Sequence, residues 1–378
     1  MAVLNYEDYD RLPIVHFGFW RDTLNKWSEE GHLTRKDAEE WADGNQADKS
    51  LGDKLGFDFN WNNLFRPHAG LRPGFEGKTL RVREDGSREV LTGDGTIILD
   101  RNGIVSIRPH IDHLLKDRQS WCRLYAPKLQ FHEERVLGGE VNTDEGPKRF
   151  DQGGLDWLQA GQWRDPLGIN CGSLFGAIRN WLGVEGLSYL CVDDEALFDD
   201  IVETVGDLSY RCIEKTLASG ARFDFAHFWE DICFKNGPLV NPAVFQEKVG
   251  PQYKRITELI GKYGIEIVSV DCDGKIDGLV PIWLNNGVNT MFPIEVGTWG
   301  ASIAPWRKQY GRELRGVGGA NKTVFAHDRA AVDTEIERLK PLVELGGYLP
   351  CPDHRIAPDA KWENVRYYCD SMRKVFGG

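Results

Sequence analysis

The 378-residue chain has only 3 Met and no run of apolar residues approaching the ~18 that a membrane span requires. Its 8 cysteines stand singly at 122, 171, 191, 212, 233, 272, 351 and 369. No C-x-x-C pair exists, which removes zinc ribbons and thioredoxin-type chemistry. No basic segment followed by an apolar stretch opens the chain, so a reducing cytoplasm is the expected location. Positive charge is also short: 46 Lys and Arg face 58 Asp and Glu, a net charge of -12. A surface of that sign argues against nucleic acid or an anionic membrane as the partner. No G-x-G-x-x-G, G-x-x-x-x-G-K-[ST] or G-x-S-x-G segment occurs, which takes the main support from dinucleotide, P-loop and serine-hydrolase readings.

Aromatic residues are plentiful instead: 13 Trp, 18 Phe and 11 Tyr supply a large core and the walls of a pocket. Between 79 and 108, short Val/Ile/Leu runs are cut by Asp85-Gly86, Asp94-Gly95 and Asn102-Gly103, dipeptides that favour tight hairpins. That stretch predicts a small antiparallel meander inserted in an N-terminal extension. From about 156 onward, buried strand patterns alternate with amphipathic helical patterns: 224–229, the "IEIVSV" run, 289–296, 315–322 and 347–351, each followed by a helix. With an early strand in 12–20, the order gives seven or eight β-then-α units, which favours an α/β fold built as a single (β/α)8 barrel over residues 1–378, with 156–378 as its clearest part.

Barrels place their chemistry at the carboxyl ends of strands. Those ends carry His227 with Glu230 and Asp231, Asp271 with Asp273, Glu295, and Cys351 to His354. The stretch Val268–Gly274, a β-branched strand running into two carboxylates, a thiol and a glycine, is the most concentrated of them. Oxygen and imidazole donors on one rim are the set that zinc or another divalent cation takes. Asp271, Asp273, Glu295 and His354 are the expected ligands, with Cys272 and Cys351 as alternates if the register slips by one. Glu295 and Asp271 are the expected catalytic carboxylates. His227 reads as a core histidine bonded to Glu230 or Asp231, His327 as a surface residue at a helix start.

The segments 236–256, "VSVDCDG", 287–297 and "GGYLPCPDHRIAPD" (346–359) resemble the uroporphyrinogen decarboxylase superfamily, over about the last 220 residues. The resemblance implies the same (β/α)8 barrel and is closer to the cobalamin-dependent methyltransferases of that superfamily than to its decarboxylase. The decarboxylase opens on a motif with two arginines that grip substrate carboxylates. In "PIVHFGFWRDTL" those positions fall at Gly18 and Asp22, with Arg21 alone nearby. The methyltransferases hold zinc on a His-x-Cys-Gly strand end, a later Glu and a C-terminal Cys. Asp271 lies over that histidine, Asp273 over that cysteine, Glu295 over the glutamate, and His354 or Cys351 over the last cysteine. Carboxylates in place of thiolates make a bound ion a harder Lewis acid suited to oxygen. The resemblance then implies a metal-dependent methyltransferase moving methyl from a small methoxylated or methylated compound, such as an aryl methyl ether, to a corrinoid partner protein. Cobalamin comes with the partner, since the chain has no Asp-x-His-x-x-Gly segment. Trp20, Phe19, His227, Trp229 and Trp299 are candidate walls for the substrate. A decarboxylase of uroporphyrinogen or another small acid is the alternative, and a barrel without metal or catalysis the third reading.

Overall fold

The computed structural model describes residues 1–101 and 108–377. Its centre is a seven-stranded, all-parallel sheet. In chain order the strands of the molecule are β1 (Val15–His16), β2 (Phe59–Asn60), β3 (Leu64–Phe65), β4 (Lys78–Val82), β5 (Arg88–Leu91), β6 (Thr96–Asp100), β7 (His110–His113), β8 (Glu140–Thr143), β9 (Gly146–Arg149), β10 (Gly168–Asn170), β11 (Phe225–Trp229), β12 (Cys233–Phe234), β13 (Gly237–Pro238), β14 (Val268–Asp271), β15 (Thr290–Phe292), β16 (Arg315–Ala320) and β17 (Tyr348–Pro352). The sheet order is β17-β16-β15-β14-β11-β10-β3. All four residues of β14 are buried, as expected where helices cover the faces of a parallel sheet. The helix Gly250–Lys262 shows why the covering layer forms: Tyr253, Ile256, Leu259 and Ile260 are buried at helical spacing, each worth roughly 1.5–3 kcal/mol of burial.

β1 and β2 form a separate parallel pair. The ring of eight strands expected from the sequence is therefore a seven-stranded sheet accompanied by this pair. Of the span 12–20 only Val15–His16 is a strand, because Gly18 adopts a positive φ of 84° and bends the chain out of extension. The chain after that bend returns to the sheet at its β17 edge: Phe19 bridges Ile356, and Ile356 donates to the Gly18 carbonyl at 3.0 Å. β3 follows β2 closely at the opposite edge.

The stretch read as a meander holds the antiparallel sheet β4-β5-β6-β7, whose fourth strand, His110–His113, lies beyond the expected end at 108. Gly86 and Gly95 sit at positive φ in its tight turns, and the third turn, Asn102-Gly103, lies outside the described residues. The meander leans on the helix Gly176–Asp193, where Thr96 donates to the Asn180 carbonyl. Among the described residues no helix is long and apolar enough to cross a membrane.

Candidate active site

A cleft of about 300 Å³ opens at the carboxyl ends of the parallel strands. Asn170 comes from the end of β10, His227 and Trp229 from β11, and Asp271 from β14, with Asp231 and Asp273 just beyond their strands. Phe17 and Trp20 enter from the chain after β1, Asn62 and Arg66 from either side of β3, and His354 and Arg355 from the loop after β17. Parallel register puts Trp229 beside Asp271 and Asn170 beside His227. A second opening, about 500 Å³, runs between the meander and the sheet and shares Asn170 and Trp229 with the cleft.

The acids here have unequal environments. Asp271 is fully enclosed, and burial, then the charges of Asp273 and Asp231, push its carboxyl well above the usual range. It holds its proton to higher pH than an ordinary aspartate does. Burial and Asp273 also raise Asp231, which Arg179 partly offsets from 3.4 Å. Asp273 Oδ2 lies 3.1 Å from His354 Nε2, and the His354 ring is stacked on Trp20 at 5.4 Å between centroids. Glu295 stands on the far side of Asp273. Its carboxylate accepts from the Gly274 N–H at 2.5 Å and the Thr298 hydroxyl at 3.0 Å, and burial followed by Asp273 raises its pKa. Ile294, directly before it, is a β-branched residue at φ 56°, an uncommon conformation.

His227 is not bonded to Glu230 or Asp231. Its Nδ1 lies 2.7 Å from Ser269 Oγ, and that hydroxyl is directed at the Ala226 carbonyl. One hydroxyl hydrogen spent on the carbonyl means that Nδ1 donates and Nε2 keeps its lone pair. Burial first, and Arg66 second, lower the His227 pKa to about 3, so the ring is neutral. Glu230 turns away from the cleft and caps the turn leading into the helix Gly176–Asp193. It accepts from the backbone N–H groups of Leu174, Phe175 and Gly176 and from Ser173 and Tyr253.

The structure thus brings Asp271, Asp273, His354, His227, Trp20 and Trp229 to one cleft. Four other expected residues face elsewhere. Phe19 is buried between Trp27 and Trp41, because the bridge to Ile356 fixes the strand face it occupies. Trp299 packs on Trp306, outside the cleft lining. Cys272 alternates to the opposite side of its strand from Asp271 and Asp273, where its sulfur accepts from Ile232 N–H. Cys351 is fully buried in the sheet. Arg66, Arg355, Asn62 and Asn170 were missed by the sequence reading. Arg355 alone had a signal, adjacency to His354. Arg21, the single cation near the lost arginine motif, points away and donates to the Ala38 and Trp41 carbonyls.

These donors do not fit the divalent ion expected from the sequence. His354 Nε2 is engaged by Asp273, Glu295 is held by Gly274 and Thr298, and both cysteines face away. Among the described residues no three His, Cys, Asp or Glu side chains are grouped so as to hold a metal. Asp273 Oδ1 and His354 Nδ1 are buried without partners, but no third donor of these types joins them among the described residues.

No family model and no curated protein matches the chain. Among solved structures, a B12-independent methionine synthase from a Shewanella species aligns over 97% of this chain and 98% of its own at 11% identity, with a TM-score of 0.48. A methyltransferase from Methanosarcina mazei aligns over 99% of this chain and 97% of its own at 14% identity, with a TM-score of 0.59. That last likeness is one of fold alone.

Proposed function

We propose that the cleft is the active site of a methyltransferase that takes methyl from a small methoxylated compound and gives it to a reduced corrinoid carried by a partner protein. The observation that carries this reading is Asp271: a buried carboxyl at a strand end, its pKa raised by burial and by Asp273 and Asp231, facing a polar cleft with aromatic walls. The methyltransferase from Methanosarcina mazei, which shares the fold, agrees with it. The reading also takes the β1–β2 pair and its bridge to the β17 edge as the segment that closes a barrel around the cleft.

Demethylation of an ether breaks the C–O bond and leaves the electron pair on oxygen. The reduced corrinoid supplies the electron pair that accepts the methyl group. Asp271 gives its proton to the departing oxygen, so that an alcohol or phenol rather than an unprotected oxyanion leaves. Burial first, and the charge of Asp273 second, favour the proton on Asp271 before reaction, and Asp273 is held by His354. Trp20 holds the His354 ring by stacking, and Trp229 offers a flat face on the β11 side. His227, neutral and anchored by Ser269, is an acceptor with no charge of its own. No metal ion enters this account.

The test is to incubate the full chain with chemically reduced cobalamin and a panel of methoxyarenes, methylamines and methyl thiols, following the demethylated product by chromatography. Release of a phenol from an ether, abolished in Asp271→Asn, is expected; turnover of amines or thiols with none of ethers overturns the proposal. Arg66 and Arg355 beside the cleft favour one second reading, a decarboxylase of a small acid, which CO2 release in the absence of cobalamin would establish.

A further inference from the structure

The cleft holds one arginine that the protein does not use. Arg355 is tied to Asp43 through two contacts, 2.6 and 3.3 Å, and lies over the Phe17 and Trp41 rings. Arg179 pairs with Asp231, and Arg135 is spent on the carbonyls of His68, Gly70, Lys128 and Gln130. Arg66 neither donates a hydrogen bond from its guanidinium nor joins an ion pair among the described residues. Its side chain is exposed at the cleft mouth, while the protein atoms around it lower its pKa from the ordinary arginine value. Arginine stays protonated, so its unpaired guanidinium is a charged donor at the cleft mouth with which a planar anion can pair.

A second donor faces the same space. The Asn170 side-chain oxygen accepts from the Gly172 N–H at 3.0 Å, which settles the orientation of the amide and leaves its NH2 group without a partner among the described residues. The NH2 of Asn170 and the guanidinium of Arg66 line one cleft, on its β3–β10 side, while Asp273 and His354 line the opposite side. At about 300 Å³ the space is at the small end of ligand pockets. It suits a single ring with one or two substituents and is too small for a tetrapyrrole.

We infer that Arg66 and Asn170 form a carboxylate subsite, and that the substrate is a small aromatic acid whose carboxylate is held there while its methoxy group lies toward Asp271. This rests on the methyl-transfer reading for the reacting end of the substrate and on the cleft alone for the anionic end. Arg66 is here the residue that determines specificity, with no role in the bond-breaking step. A planar guanidinium matches a carboxylate in a way that a lysine ammonium does not.

The experiment is calorimetric titration of the full chain with 4-methoxybenzoate and with 4-methoxybenzamide, a neutral compound of the same shape. It is repeated on Arg66→Met and Arg66→Lys, with melting temperatures measured for each. Wild type should bind the acid at least about tenfold more tightly than the amide, as the loss of one charge-assisted pair implies. Arg66→Met should bind both alike, and Arg66→Lys should retain part of the preference. Equal affinity of wild type for the two compounds, no binding of either, or unchanged acid binding in a folded Arg66→Met protein would each overturn the subsite. Arg66-dependent binding of the acid without any methyl transfer would sustain the subsite and end the transfer reading. Transfer from neutral methoxyarenes that continues unchanged in Arg66→Met, with no preference for the acid, would do the reverse.

Discussion

Replacing Glu230 by alanine should destabilise the protein more than any change of similar size on the cleft wall. The Glu230 side chain is fully buried and accepts three backbone N–H groups, from Leu174 at 2.8 Å, Phe175 at 2.9 Å and Gly176 at 2.6 Å, besides the hydroxyls of Ser173 and Tyr253. Its own backbone N–H donates to the Asp271 carbonyl at 2.8 Å, so the residue joins the end of β14 to the turn that starts the helix Gly176–Asp193. A buried donor stripped of its acceptor costs ~1–3 kcal/mol. Three of them give roughly 3–9 kcal/mol, and water entering the vacated space moves the expectation to about 4 kcal/mol. Glu230→Gln keeps one acceptor oxygen but turns an NH2 group toward the remaining donors, so about half the loss is expected. Urea unfolding followed by circular dichroism measures both, with the slope of the transition required to stay constant across variants. The order alanine, glutamine, wild type in rising stability is the expected result. An alanine variant within about 1 kcal/mol of wild type would refute the reasoning, because it would mean those N–H groups find other partners at no cost.

Asp271→Asn should raise stability at neutral pH while removing activity. The folded-state pKa lies above the unfolded one, so the stability it lends is complete below about pH 4, where even an unfolded aspartate is protonated, and is lost as pH rises toward the folded value. Denaturation at several pH values should therefore show the asparagine variant's advantage growing from acid toward neutral pH, and a constant difference would contradict the buried proton. Turnover of the wild type should fall as pH rises and Asp271 loses its proton, a limb that a steady-state pH profile would reveal. Trp20→Ala removes the ring stacked on His354; with aromatic contacts worth ~0.5–1.5 kcal/mol, kcat/KM should drop roughly 2- to 12-fold, and an unchanged value would remove the positioning role. Dialysis against a chelator should leave the melting temperature where it was. A fall that zinc reverses would show that the protein holds an ion after all.

Much of the architecture is written locally in the chain. Val268–Asp271 reads as a buried strand because three β-branched or small residues precede a carboxylate, and Gly250–Lys262 reads as a helix because its apolar residues recur at helical spacing. The placing of Asp271 and Asp273 at a strand end follows from the same patterns, as do the meander turns at Gly86 and Gly95. What tertiary structure decided is which neighbour each side chain meets. His227 takes Ser269 rather than the adjacent Glu230, because parallel register sets those two residues side by side across 42 positions of sequence. Glu230 is drawn to the N–H groups of a turn more than fifty residues earlier. Phe19, one residue before Trp20, faces the core while Trp20 faces the cleft, a choice made by the bridge to Ile356. Arg66 follows a strand of only two residues, too short to leave a periodic signal, and becomes a cleft residue through the pairing of β3 with β10. Periodicity reports which face of its own element a residue occupies; register between distant strands determines what that face looks upon.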